Sequence, residues 1–159
     1  MRKFLLCALF GLVLAAPAIA AEPCNSPKPD FLVMTEPTDD IPKNIREFAG
    51  HWTGMWQQGK KGVLCHNLYV TEVKPDGTVK AYYSWGRYDP WGINAPGYRK
   101  ATGKIEGNKL NLDVDSGYAS AVYTRKGNKL KGIYLPDSYK TPGTFTRIPS
   151  DKKEAAVTP

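Results

Sequence analysis

The densest group of side chains suited to ligand binding lies between residues 82 and 92, where tyrosines and tryptophans surround one arginine and one aspartate. Tyr88 and Trp91 fall in a connection that contains proline and glycine, where burial is harder than in a strand. Their flat faces suit apolar ligands or sugar rings, and Arg87 and Asp89 could orient polar groups. The alternative is that this connection folds over one end of the domain as a plug, with Trp91 filling the interior.

A second group of aromatic residues lies on the same faces of the predicted strands as several small residues, that is, an even number of positions away from them. Residues two apart point to the same face of a strand. Glycines such as Gly54 and Gly132 would leave room beside large rings, although they would also fit a narrow, fully packed interior. Arg99 has the inward parity of its predicted strand, and we expect it at a rim beside solvent. The predicted ligand-binding residues are Trp56, Tyr83, Trp85, Tyr88, Trp91, Arg99 and Tyr134.

Nothing in the sequence indicates a catalytic or metal site. The only histidines, His51 and His66, have opposite parities on adjacent predicted strands, and no HxH or HExxH spacing occurs. His66 alternates with apolar residues and is expected to be a hydrogen-bonded structural residue. Asp113 and Asp115 flank a turn, where paired carboxylates are usually solvated. We therefore expect no catalytic residues, cofactor or metal.

The first 20 residues have the pattern of a signal peptide. A basic start, Arg2 and Lys3, precedes an apolar run over 4–16, and Ala18-Ile19-Ala20 is a small-x-small cleavage site. That run is too short to span a bilayer, and no later stretch approaches the ~20 apolar residues that a spanning helix needs. We expect export to the periplasm or outside the cell.

Two cysteines, Cys24 and Cys65, are left once Cys7 is removed with the signal peptide. In an oxidising compartment such a pair is most simply a disulfide. It would close a loop worth roughly 4 kcal/mol in the chain-entropy model. The alternative is two free thiols.

The chain is basic, with a formal net charge of +7 that falls to about +5 without Arg2 and Lys3. The lysines are scattered, which favours a solvated exterior; attraction to anionic envelope polymers or lipid head groups is the functional alternative. A basic cluster interleaved with aromatic residues does not occur, so we expect no nucleic-acid partner.

The fold is predicted from the alternation that begins with Gly50, Trp52, Gly54 and Trp56. Large residues next to small ones suit the tight interior of a small closed barrel. Turn residues recur, and Gly107-Asn108-Lys109-Leu110 is repeated at 127–130, one hairpin period later. The pattern predicts an all-β, eight-stranded antiparallel up-and-down barrel after a short N-terminal helical turn, with a two-sheet sandwich as the alternative. The strands are expected at about 50–58, 63–73, 78–86, 97–105, 109–114, 118–125, 129–135 and 144–148.

The predicted organisation has four parts. The signal peptide (1–20) is followed by an extended, proline-rich leader (21–41), which Cys24 and the apolar island 31–34 should tie to the barrel. The barrel domain covers 42–148, and the polar tail (149–159) is expected to be disordered.

The barrel resembles the calycins, which comprise lipocalins, fatty-acid-binding proteins and avidins. Their signature is a helical turn and then Gly-x-Trp on the first strand, here Gly50-His51-Trp52 preceded by Phe48. Lipocalins also carry a late arginine that packs over this tryptophan, and Arg147 matches it. The resemblance covers about 45–148 and implies a barrel with Trp52 in a structural role; we carry no ligand over from it.

The sequence thus favours an exported, non-enzymatic barrel that binds a small apolar or aromatic ligand, or a glycan fragment, at an aromatic mouth. One alternative is a cell-envelope interaction protein with a packed barrel and a basic exterior. A second is a small hydrolase or isomerase-like enzyme.

Overall fold

The computed structural model describes residues 25–57, 59–114, 117–136 and 138–149. Their chain forms a short helix and then eight strands, whose ends agree with the predicted ones to within one residue except at the last strand. The elements are α1 (Lys43–Arg46), β1 (Gly50–Gln57), β2 (Val63–Val73), β3 (Thr78–Trp85), β4 (Gly97–Glu106), β5 (Lys109–Val114), β6 (Ala119–Lys126), β7 (Lys129–Pro136) and β8 (Thr141–Ile148). No helix in these ranges is long and apolar enough to cross a membrane.

The strands form a closed antiparallel barrel in chain order, which confirms the predicted fold class and excludes the sandwich. Closure is made by β1 and β8, which pair from His51 opposite Ile148 to Trp56 opposite Gly143. Every strand therefore has two neighbours, and the sheet has no exposed edge.

Strict alternation places the core inside the barrel. In β5 the inward residues Leu110, Leu112 and Val114 are buried and the residues between them are exposed. The repeated turns at Gly107 and Gly127 have φ values of +60° and +58°, which glycine adopts without strain. Local sequence and tertiary pairing thus specify the same hairpins.

The last strand differs from the prediction, because β8 begins at Thr141 rather than near residue 144. The predicted loop is correspondingly shorter. Thr141 and Gly143 are buried, whereas Pro142 between them is exposed. The proline therefore sits on the outer face, and the inward alternation continues through it.

One end of the barrel is closed by α1 and the residues after it. Phe48 and Trp52 are fully buried there. The Trp52 indole N–H donates to the Phe48 carbonyl at 2.9 Å. The Arg147 guanidinium lies 4.6 Å from the Trp52 ring and donates to the Glu47 carbonyl. Arg125 Nη2 donates to Glu47 Oε2 at 2.5 Å, so two strands are tied to the segment that covers this end.

The leader crosses the outer face of β2 and β3. Asn67 Nδ2 donates to Ser26 Oγ at 2.5 Å, and the Thr35 amide donates to the Thr71 carbonyl at 3.0 Å. Ser84, which has outward parity, is fully buried on this covered side.

The apolar island 31–34, predicted to help tie the leader to the barrel, is only partly covered. Phe31 is 55% exposed and Val33 77% exposed, and Phe31 meets only the edges of Tyr82 and Tyr98. Hydrogen bonds to β2 and the buried Ile41 also hold the leader.

Several predictions lie outside the described residues. These are the signal peptide, the tail beyond Pro149, and Cys24 as the partner of Cys65. Ser26, two residues after Cys24, has its Oγ 3.8 Å from Cys65 Sγ. The leader therefore reaches the strand that the predicted disulfide would join.

Candidate functional site

The half of the barrel away from α1 encloses a cavity of about 560 Å³. It lies where β1 ends, β2 begins, and the connection from β3 to β4 crosses the opening. Leu64, Val114 and Ala121 contribute apolar lining from three strands. The interior is thus filled at the end near Phe48 and hollow at the other, and the hollow end corresponds to the predicted mouth.

Aromatic side chains form most of the cavity wall. The structure brings four of the predicted residues together there, Trp56, Tyr83, Trp85 and Tyr134. The Tyr83 and Trp85 rings have centroids 5.5 Å apart and planes 35° apart. Trp56 and Tyr134 are 6.0 Å apart. The cavity is thus lined by aromatic rings, a common feature of sites for flat ligands.

The position of Trp56 depends on two glycines, Gly143 in the neighbouring strand β8 and Gly132 in β7 beyond it. Gly132 and Gly143 pair directly across β7 and β8. A Cβ on Gly132 would lie 2.7 Å from Trp56 Cη2, and one on Gly143 would lie 2.5 Å from Trp56 Cε3. The indole therefore lies against bare backbone, and the cavity stays open beside it.

The floor of the cavity is formed by His66 and Tyr123, both buried. Tyr123 Oη lies 3.4 Å from His66 Nε2, and the His66 ring is stacked on Tyr83 with centroids 5.6 Å apart. His66 points inward, as its parity predicts, and His51 lies on the outer face, stacked on Tyr69.

Burial keeps these groups neutral. Desolvation lowers the pKa of His66 to about 3, so the imidazole carries no charge near neutral pH. It also raises the pKa of Tyr123, and those of Tyr83 and Tyr134, although the charge of Arg99 acts in the opposite direction on the latter two. The phenols therefore keep their protons and present neutral hydroxyl groups to the cavity.

The connection from β3 to β4 forms the lid of this space. Its centre is a short 3₁₀ turn, Asp89–Trp91, closed by a bridge between Tyr88 and Ile93. Trp91 lines the cavity and is half-buried. It is neither a fully inserted plug nor a solvent-exposed ring.

Tyr88 does not line the cavity. Its hydroxyl points to Gly62, where a Cβ would collide with it, and its ring packs edge-on against Trp91 with centroids 5.7 Å apart. Tyr88 therefore supports Trp91 from outside. Arg87 and Asp89 are both exposed and paired at 2.8 Å, and this hydrogen bond lowers the pKa of Asp89.

Arg99 lies at the rim, as expected from the sequence. Its side chain is exposed, lines the opening of the cavity, and has its guanidinium carbon 6.0 Å from the centre of the Trp85 ring. It pairs with Tyr83 across β3 and β4. The rim therefore carries a positive charge beside an aromatic wall.

Several lining residues are absent from the predicted ligand-binding set, and the polar ones among them include Tyr123, Tyr139 and Thr141. Tyr123 has inward parity in its strand, a signal that could have identified it. Tyr139 lies in the loop before β8, as predicted, whereas Thr141 was assigned to that loop because Pro142 obscured the start of β8. Among the described residues, no group of three or more His, Cys, Asp or Glu side chains is placed to hold a metal ion.

Comparison with known proteins gives little further. No family model matches the chain, and no curated protein matches it. One solved structure similar to it is a designed fluorescence-activating β-barrel, with 11% sequence identity, coverage of 68% of this chain and 100% of that one, and a TM-score of 0.49.

Proposed function

We propose that this protein is an exported, non-enzymatic barrel of the calycin type that holds a small apolar or aromatic ligand, or a glycan fragment, in the cavity at its open end. The observation that carries the proposal is the cavity of about 560 Å³ with aromatic walls. Its volume falls in the range of small-molecule sites, and its lining combines ring faces with a few polar groups.

A filled interior would have favoured the alternative of a packed barrel. Filling is seen in the half near Trp52 and Phe48, where both of these side chains are fully buried. A protein that needed only stability would gain by filling the other half as well, since voids weaken a core. The retained space is therefore better explained by an occupant.

The non-enzymatic part of the proposal rests on the cavity's ionisable groups. A general base needs a pKa near the working pH, whereas burial lowers the pKa of His66 to about 3. Its neighbour Tyr123 is neutral as well. Aryl-ester hydrolysis that is lost in His66→Phe would contradict this part.

The calycin assignment is supported by Arg147 over Trp52 at the seam of β1 and β8. Export is supported by the N-terminal sequence alone. The outward lysines of β4 and β7, such as Lys100, Lys104 and Lys131, are exposed and could meet anionic envelope components. That contact would add to ligand binding rather than replace it.

The test is native mass spectrometry of protein purified from the compartment to which it is exported. We expect a co-purifying small molecule in the wild type and its absence in Val114→Phe, which fills the cavity. Val79→Phe is the matched control, because Val79 is equally buried but lies in the filled half. We expect it to be destabilised by about 1–3 kcal/mol through overpacking. A bare wild-type mass, together with equal destabilisation by both substitutions, would refute the cavity and the proposal.

A further inference from the structure

We propose that the ligand is a planar aromatic compound whose polar group is a hydrogen-bond acceptor, a carbonyl or carboxylate oxygen, bound near Trp91 and Thr141. This inference rests on the function proposed above and specifies the chemistry of the same cavity.

The aromatic lining of the cavity favours a planar ligand. Trp56, Tyr83, Trp85 and Tyr134 line the space with aromatic rings, and their centroids stand 5.5–6.0 Å apart within each contacting pair. Flat rings gain most from such surroundings, because offset and edge-on ring contacts add to the apolar area that is buried. A flexible acyl chain or a sugar with hydroxyl groups all round would gain less.

The acceptor is indicated by Trp91. Its Nε1 is buried and has no hydrogen-bond partner among the residues that the structure describes. An indole N–H can only donate. Leaving a buried donor unsatisfied is unfavourable, so the group that completes this site must offer a lone pair.

Thr141 gives a second, independent indication of a polar ligand atom. Its side chain is 1% exposed and lines the cavity, and its Oγ1 has no partner in the described part of the chain. A hydroxyl can donate or accept, so Thr141 alone does not show whether the ligand atom is a donor or an acceptor. It can donate to the same class of acceptor that Trp91 requires.

The charge distribution disfavours cationic ligands. Arg99 is a cation at the rim, and no Asp or Glu is found among the described residues that line the cavity. The charge of Arg99 affects the pKa of Tyr83 more than the charge of Asp113 does. The tyrosine hydroxyls stay protonated and are available as donors. An ammonium group would meet hydroxyl and indole donors there, and no carboxylate among these residues.

Four probes that share one ring system test the inference by isothermal titration calorimetry. They are naphthalene, 2-acetylnaphthalene, 2-naphthoate and 2-naphthylmethylammonium. We expect the two acceptor probes to bind about tenfold more tightly than naphthalene, the value for one or two added hydrogen bonds. The ammonium probe should bind more weakly than naphthalene. The ketone and the carboxylate together show whether the acceptor is neutral or anionic.

Two conservative variants locate the contact. Trp91→Phe keeps a ring and removes the N–H, and Thr141→Val keeps the shape and removes the hydroxyl. Both should reduce the preference for 2-acetylnaphthalene over naphthalene several-fold. Trp85→Phe is the matched control, because it changes a wall tryptophan whose N–H is not an orphaned donor. It should weaken all probes alike.

The outcomes separate this inference from the proposed function. If naphthalene binds but the acceptor probes gain nothing, or if Trp91→Phe and Trp85→Phe act alike, the acceptor site is refuted while the cavity function stands. If the ammonium probe binds best, the inference is likewise overturned. If no probe binds, the inference fails, and the proposed function fails with it only if native mass spectrometry also finds no co-purifying molecule.

Discussion

The indole of Trp56 lies on the backbone of Gly132, so closely that a Cβ on the glycine would approach Trp56 Cη2 to 2.7 Å. Trp56 is only 4% exposed and also packs on Phe145 with ring centroids 5.0 Å apart. Because Gly132 has no side chain, the ring of Trp56 can occupy this position in the cavity wall.

Replacing Gly132 by alanine should move Trp56 into the cavity, because backbone and Phe145 block the other directions. We expect the free energy of unfolding to fall by about 1–3 kcal/mol, as for overpacking, and binding of 2-acetylnaphthalene to weaken. Urea unfolding and calorimetry measure the two. Lys131→Ala, on the outer face of the same strand, is the control. An unchanged affinity would show that Trp56 does not bound the ligand site.

Trp52 is expected to act in stability alone. It is fully buried in the filled half, with its N–H bonded to the Phe48 carbonyl. Trp52→Ala should cost about 3–5 kcal/mol, the range for truncating a buried aromatic side chain. Denaturant unfolding measures it, and a loss near zero would contradict the structural role.

Trp91 should show the opposite pattern. It is half-buried in a connection and contributes to the lid of the cavity rather than to the filled core. Trp91→Ala should change the free energy of unfolding by no more than about 1 kcal/mol, because few core contacts are lost. Ligand binding should weaken by about 2 kcal/mol, as for an anchoring aromatic residue. A large loss of stability with unchanged affinity would identify the connection as a plug.

His66 should make stability depend on pH. Burial lowers its folded-state pKa to about 3, against ~6.5 when unfolded. Between these values the unfolded state binds a proton that the folded state does not. Stability should therefore fall as the pH drops from ~6.5 towards 3, by up to ~1.4 kcal/mol per pH unit.

Urea unfolding of His66→Phe at pH 7 and pH 5 measures this contribution, and the slope should decrease. The control is His51→Phe, because His51 is only partly buried and its pKa is lowered by a partial desolvation that its Asn67 hydrogen bond opposes. A slope that persists in His66→Phe would mean that the imidazole is protonated within the fold.

The Cys24–Cys65 disulfide stays a prediction, and it has a direct measurement. Thiol titration of denatured, unreduced protein from its native compartment should find no free thiols. Cys65→Ala and Cys24→Ala should lower stability by similar amounts, about 4 kcal/mol in the chain-entropy model, since each opens the same loop. Two free thiols would refute the pairing.

Much of the barrel could be predicted because its signals are local. In β5 the apolar and polar residues alternate at the period of a strand, and each Gly-Asn turn specifies a hairpin on its own. The start of β8 was missed because Pro142 is a strong local signal for a loop, and only pairing with Ile133 in β7 shows that it lies within the ladder. For the same reason Thr141, which lines the cavity, was not predicted as an inward-facing strand residue.

The cavity residues illustrate the same division. Trp56, Tyr83, Trp85 and Tyr134 could be assigned to the interior by parity, but parity could not say whether the interior is filled. Tyr88 and Trp91 were indistinguishable in sequence, and the bridge from Tyr88 to Ile93 directs one ring to Gly62 and the other to the cavity.

The sequence by itself thus determined which side chains face inward and where the hairpins turn, because these depend on residue periodicity and turn chemistry within a few neighbouring positions. The pairing of β1 with β8 in the tertiary structure decided between a closed barrel and a sandwich. Only the tertiary structure decided that one half of the barrel is filled around Trp52 and the other is open beside Trp56. That outcome depends on residues that are far apart in the sequence: Trp56 of β1 settles on the bare backbone of Gly132 and Gly143 in β7 and β8, and the cavity stays open beside it.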